Sequence, residues 1–225
     1  MKVVSLLSGG LDSSVTMSRL AIEGHEIFPL FIDYGQTSRE REFEGAQSYL
    51  RKLSHERINP LRRISADLSF LNTSLLGTKS VTRESDENFH TLSSKKIDWV
   101  PARNIIFLSL AASYAESVDS RAVSIGAYKE DEMPPYPDSS PEFLESMQVS
   151  LSRGLYDSDN FQILAPFIDL FKWDTVAYAN EHGLPIENTW SCYQNGTFHC
   201  GTCRNCTDRK KAFEKAEITD PTLYS

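Results

Sequence analysis

Two stretches of the chain combine residue types that do chemistry with spacings that let them act together. The first is Ser8-Gly9-Gly10-Leu11-Asp12-Ser13. Adjacent glycines let the backbone turn tightly and approach an anion with no Cβ in the way, and where such a turn opens a helix its free N–H groups and dipole face that anion. Phosphate is the expected occupant, the plain alternative being a turn capped by Asp12 that binds nothing. The loop has neither the Lys-Ser/Thr ending of kinase-type phosphate loops nor a Gly-x-Gly-x-x-Gly pattern, so γ-phosphoryl transfer and dinucleotide binding are not indicated. The second stretch holds all four cysteines: Cys192, seven residues, Cys200, two, Cys203, two, Cys206. Each short Cys-x-x-Cys step sets two sulfurs on one side of a turn, as a tetrahedral Zn²⁺ needs. Four thiolates would close the shell and make the metal structural. An iron–sulfur cluster or a redox Cys-x-x-Cys pair draws on the same ligands. His199 could replace one of them, although beside Cys200 it reads as solvent-facing or as a neighbour of the site.

The elements that must position these residues can be read from periodicity. Residues 2–7 form an apolar strand that runs into the glycine turn, and residues 11–24 follow as a helix. A second strand over 25–32 ends at Asp33, Tyr34, Gly35 and Gln36, which places those residues beside the phosphate loop. Residues 39–53 carry Phe43, Ala46, Tyr49, Leu50 and Leu53 at helical intervals. A third strand is expected within 64–70, and 76–96 reads as a mobile loop. Residues 104–117 are apolar almost all round, which predicts a helix buried on most sides. A strand over 122–125, loop chemistry from Gly126 to Pro141, a helix to about 155, an apolar run over 161–168 and a helix over 171–182 complete the core. A short charged helix over 208–217 follows the cysteines. This alternation predicts an α/β fold, a doubly wound, mostly parallel sheet with ligands at the C-terminal strand ends. The expected division is a nucleotide-binding domain over 1–186 and a cysteine segment over 187–225 packed on it.

Composition narrows the partners. A net charge of -8 argues against a nucleic acid held by its phosphates. No apolar run approaches the roughly 20 residues that span a bilayer. Cysteines confined to one short segment suit metal in a reducing compartment better than disulfides. The expectation is a soluble, cytoplasmic protein acting on a small molecule, with no membrane and no stable nucleic-acid partner.

Ser8 to Ser13 matches Ser-Gly-Gly-x-Asp-Ser and resembles the PP-loop, or N-type ATP pyrophosphatase, family. That resemblance implies an adenine nucleotide α-hydrolase-like fold and ATP with Mg²⁺. Leu7, Ser8, Gly9, Gly10, Leu11, Asp12 and Ser13 would cradle the departing pyrophosphate, Asp12 would help place Mg²⁺, and Asp33, Gly35 and Gln36 would complete the nucleotide site. Asp33-Tyr34-Gly35-Gln36, Val100-Pro101-Ala102-Arg103-Asn104, Tyr136-Pro137-Asp138 and the Cys192-Tyr193 segment, in that order, are similar to the QueC family of 7-cyano-7-deazaguanine synthases. The resemblance then implies an ATP-dependent carbon–nitrogen ligase of queuosine biosynthesis. It would convert 7-carboxy-7-deazaguanine and ammonia to the nitrile through adenylation of the carboxylate. Asp12, Ser13 and Arg103 would be catalytic; Arg103, Asn104, Tyr136 and Asp138 would bind the acid. Cys192, Cys200, Cys203 and Cys206 would hold Zn²⁺, and the chain would form a homodimer. Two positions depart from the pattern, Ala102 for glycine and Ser139 for cysteine. Ala102 denies the backbone easy access to positive φ, and Ser139 is a weaker nucleophile than a thiol. Such a relative could join the acid to another amine, for example a protein amino group in an anti-phage system. A zinc-containing, tRNA-thiolating PP-loop protein is the reading from a different class.

Overall fold

The computed structural model describes residues 1–71, 73–76, 99–129, 136–156 and 159–225. The expected loop over 76–96 falls almost wholly outside them, as do residues 130–135 of the acidic segment before Tyr136. Among the described residues five strands form one sheet: β1 (Lys2–Leu6), β2 (Glu26–Asp33), β3 (Arg62–Ser65), β4 (Ala122–Ser124) and β5 (Gln162–Leu164). Their order is β3-β2-β1-β4-β5 and every pairing is parallel. Parallel neighbours require crossovers, supplied by α1 (Leu11–Ile22), α2 (Arg39–Leu53), α3 (Arg103–Ser117) and α4 (Pro141–Gly154), while α5 (Lys172–Glu181) follows the last strand. A sixth helix, α6 (Arg204–Lys215), follows the cysteines.

Alternation along β1 divides the core. Val4 and Leu6 face one layer with Leu30 and Ile32, under Leu108, Ala111, Ala112 and Ala115 of α3. Val3 and Leu7 face the other, with Ile27 and Phe31 against Met17, Leu20, Ala46 and Tyr49 from α1 and α2. A third cluster joins Leu11 and Val15 of α1 to Val176 and Ala179 of α5 and to Ala212 and Phe213 of α6, so the C-terminal helix is packed against the main body. Burying an apolar side chain of this size stabilises by roughly 1.5–3 kcal/mol, which a short cysteine segment alone could not gather.

Three expectations change. The third strand is Arg62–Ser65, two residues earlier than expected. Helix α3 is buried on one face only: Leu108, Ala111, Ala112 and Ala115 meet the sheet, while Ile105 is 44% exposed. The small alanines let the helix lie close to the strands, which is why an apolar composition does not require burial all round. The last helix begins four residues earlier than expected, at Arg204, with Cys203 as its N-cap, so Cys206 stands in its first turn.

Candidate active site

The strand order reverses between β1 and β4, and a cleft opens there at their carboxyl ends, where open parallel sheets hold ligands. The glycine turn forms its floor. Gly9 has φ +80°, and a Cβ there would lie 2.0 Å from the Glu42 carbonyl oxygen, so only glycine lets α2 close on the turn. Gly126, just past β4, is as constrained, because its Cβ would sit 2.8 Å from the Ser13 nitrogen. The Ser13 hydroxyl accepts from the Ser8 N–H at 3.1 Å and lies 2.9 Å from the Ser8 hydroxyl. No side chain caps α1, which leaves its first-turn N–H groups to an anion. Asp12 has one carboxylate oxygen, Oδ1, buried with no hydrogen-bond partner among the described residues. An orphaned anionic oxygen beside a phosphate-sized loop fits Mg²⁺, a hard cation that takes oxygen ligands.

The other oxygen of Asp12 meets a residue that the sequence reading missed. Lys172 Nζ donates to Asp12 Oδ2 at 2.9 Å and to the Tyr128 hydroxyl at 3.3 Å. Burial alone would lower its pKa, but the Asp12 carboxylate and Tyr128 outweigh that and raise it well above the ordinary lysine range. Lys172 opens α5, whose start is fixed by the Asp174 carboxylate accepting from the Phe171 N–H at 2.8 Å. A cation at the positive end of a helix is electrostatically out of place, and that was the signal available in the sequence.

Of the residues singled out from sequence, Leu7, Ser8, Gly10, Leu11, Asp12, Ser13, Gln36, Arg103, Asn104, Tyr136 and Asp138 line this cleft together. Gly9, Asp33 and Gly35 are not among the lining residues. Asp33 instead takes a 2.6 Å ion pair from Arg63 and the Gly35 N–H at 3.2 Å. Burial pulls its pKa up, but those bonds prevail and hold the carboxyl below the usual range. Gln36 folds back on its own turn, accepting from the Tyr34 N–H at 2.9 Å and donating to Glu42 at 2.9 Å. Burial pushes the Glu42 carboxyl up, against the Gln36 and Ser38 hydrogen bonds.

Elsewhere in the cleft lining, Asp138 Oδ2 accepts from the Asn104 N–H at 3.1 Å, and the Asn104 amide donates back to the Asp138 carbonyl at 2.8 Å. This reciprocal pair ties the start of α3 to the turn after Tyr136. Arg103 lies beside Tyr34, Tyr193 and Asp138; burial would lower its pKa, but these neighbours raise it, so its charge is secure. Burial raises the Tyr34 phenol to about 12, with Arg103 opposing. Ala102, preceding Arg103, has φ 56° and ψ 22°. The left-handed conformation that alanine disfavours is therefore adopted, at a strain of ~1–2 kcal/mol. Ser139 also lines the cleft, and its hydroxyl donates to the Tyr136 carbonyl at 3.0 Å.

The cysteine segment forms the remaining wall. Trp190, Ser191, Tyr193 and Asn205 all line the cleft, and the Trp190 N–H donates to the Gly9 carbonyl at 2.8 Å. Arg209, fully buried, holds this segment by donating to Thr189 Oγ1 at 2.8 Å, Ser191 Oγ at 3.2 Å and the Ile186 carbonyl at 3.1 Å. The four sulfurs lie within 4.8 Å of one another. A tetrahedron of 2.3 Å bonds has edges of roughly 3.8 Å, so the space suits one ion and is too small for a cluster with its own sulfides. Backbone N–H groups of Gln194 and Cys200 point at Cys192 Sγ, at 3.3 and 3.4 Å, and that of Cys203 at Cys200 Sγ, at 3.2 Å. Such bonds favour thiolate, and Cys192 is the most strongly lowered, through Cys203 and Cys206 first and then these amides. With Cys192 ionised, Cys206 is pushed up, since sulfurs this close ionise together only around a cation. His199 is buried, not solvent-facing: Nε2 accepts from the Ser191 N–H at 3.0 Å, and the ring packs on Trp190. Burial, with the charge of Arg209, lowers its pKa to about 4, so the imidazole is neutral, as an accepting nitrogen requires.

The family model described as "Queuosine biosynthesis protein QueC" matches residues 2–217. A 7-cyano-7-deazaguanine synthase from Methanosphaera stadtmanae is 36% identical over 99% of this chain and 98% of its own length. Another of the same name, from Methanosphaerula palustris, is 38% identical over 100% of this chain and 99% of its own. Among solved structures, a 4-thiouridine synthetase–RNA complex with bound ATP is 19% identical, with a TM-score of 0.49, over 96% of this chain and 50% of that one.

Proposed function

Because this chain belongs to the QueC family, we propose that it is an ATP-dependent ligase that turns 7-carboxy-7-deazaguanine and ammonia into 7-cyano-7-deazaguanine. The observation that carries this reading is one cleft lined by two chemically different groups of residues. The uncapped first turn of α1 and the Asp12–Lys172 pair form one group; Arg103 with the Asn104–Asp138 pair forms the other. ATP would lie with its β- and γ-phosphates on Ser8, Gly10, Leu11 and Ser13. The acid's carboxylate oxygen attacks the α-phosphorus and pyrophosphate leaves, its growing charge met by the loop amides and by Lys172. Ammonia then displaces AMP to give the amide. The amide oxygen attacks a second ATP, again releasing pyrophosphate, and loss of AMP and protons yields the nitrile. Two ATP therefore give two AMP and two pyrophosphates.

Mg²⁺ would be held by Asp12 through Oδ1 and would neutralise phosphate charge. Arg103 would orient the acid, Asp138 would accept from its exocyclic amino group, and Tyr136 would lie beside the ring. Gly9, Asp33, Gly35 and Gln36 act on the nucleotide end by fixing the turns around it. Zn²⁺ at Cys192, Cys200, Cys203 and Cys206 would be structural, securing the wall that carries Trp190 and Asn205. The chain would act as a cytoplasmic homodimer, which sedimentation at micromolar concentration reads directly. Incubation with ATP, the acid and ammonium should give AMP, pyrophosphate and, by mass spectrometry, the nitrile. ADP, or intact ATP with the acid present, would overturn the reading. Pyrophosphate with no nitrile would show an enzyme that stops at the amide or uses another amine.

A further inference from the structure

We infer that Asn205, supplied by the cysteine segment, reads the lactam edge of the acid, so that this segment is a specificity wall as well as a staple. The inference rests on the acid-adenylating reading of the cleft. Asn205 sits in the first turn of α6 between two of the cysteines, Cys203 and Cys206, and lines the cleft that also holds Asp138 and Tyr136. Its neighbour Arg204 locates that turn at the acid's end: it donates to the Tyr136 hydroxyl and lies 4.8 Å from the centre of the Tyr136 ring. Arg204 is thus a positioning residue for Tyr136, which also stacks on Trp99 at 5.6 Å and 15°.

The side chain of Asn205 makes no hydrogen bond to another described residue and does not cap its helix. A carboxamide in a helix gives less helical stability than alanine, and one facing a cleft without a protein partner adds no stability by itself. It becomes useful when a ligand offers a donor and an acceptor side by side. A guanine-type ring does so: its N1–H donates and its O6 accepts, and the Oδ1 and Nδ2 of one asparagine match that pair in a single plane. Asp138 cannot do this, because a carboxylate only accepts and one of its oxygens is already engaged by the Asn104 N–H. The two residues divide the edge, Asp138 taking the exocyclic amino N–H and Asn205 the lactam N1–H and O6.

The test measures acid-dependent pyrophosphate release by the zinc-loaded wild type and by Asn205→Ala, with the parent acid and with its O6-methylated analogue, which lacks the N1–H. Wild type should turn over the parent acid and discriminate against the analogue. Asn205→Ala should raise KM for the acid about ten- to hundredfold, leave KM for ATP within twofold, retain its metal, and lose most of the discrimination. An unchanged KM for the acid, or an equal rise in KM for ATP, overturns the inference. So does a wild type that accepts the methylated acid as readily as the parent, a result that stands even if the variant fails to fold. Wild type that releases no pyrophosphate with either acid refutes the adenylation reading instead.

Discussion

Replacing Lys172 with methionine keeps the apolar stem and removes the charge that meets Asp12 at 2.9 Å. Unit charges at that separation attract by ~6 kcal/mol at an effective dielectric near 20, before either ion's desolvation is subtracted. The lysine side chain is 12% exposed and the aspartate 25%. With water still reaching the carboxylate, the net loss of stability should be ~1–3 kcal/mol, below that for a fully buried pair. The larger effect is predicted in the chemistry. A preorganised cation aimed at charge that develops on the leaving group is worth ~10²–10³ in kcat, so Lys172→Met should release pyrophosphate that much more slowly while binding the acid with little change in KM. Asp12→Asn in the same background should add less than its separate effect, because the two groups act as a unit. The pKa of Lys172 is raised from 10.5 in the folded chain. Its contribution to stability is therefore complete below about pH 10.5 and fades only as pH climbs through the folded value, so no loss from this pair is expected between pH 6 and 9. The assay is single-turnover quench with radiolabelled ATP. A kcat within threefold of wild type, or effects of the two substitutions that simply multiply, would refute this account.

Asp12→Ala should abolish pyrophosphate release and lower Tm by several degrees without unfolding the chain, since Lys172 loses the carboxylate it meets at 2.9 Å; full turnover would remove Asp12 from the site. Cys203→Ser should lower bound zinc and thermal stability together, read by metal analysis and calorimetry, because three thiolates leave the tetrahedral shell open. Ala102→Gly should relieve the positive φ and raise Tm by ~2–4 °C, for ~1 kcal/mol in a chain of this size; a lower Tm would contradict the backbone reading. Arg63→Met should lower stability at neutral pH and make it less dependent on acid. The Asp33 carboxyl is held below 3.8, so its contribution is present above that value and is lost as pH falls through the folded one. Acid unfolding followed by circular dichroism should show a smaller difference between pH 7 and pH 3 in the variant.

What the sequence determined by itself was local. The β1–turn–α1 unit, the span of α2 over Arg39–Leu53, the parallel sheet and the four-cysteine group were legible because strand and helix periods, glycine turns and Cys-x-x-Cys steps are set by neighbours along the chain. Tertiary structure decided who meets whom. Lys172 stands 160 residues from Asp12 and Arg204 stands 68 from Tyr136, and no spacing rule joins positions so far apart. The one-sided burial of α3 and the left-handed Ala102 likewise depend on how closely the helix lies on the sheet, not on its composition. Short-range patterns can be read as text because their partners are fixed by bond geometry. A cleft is closed by elements that find each other only after the core has packed, so the walls supplied by Trp190, Asn205 and Gly126 were visible only in the fold.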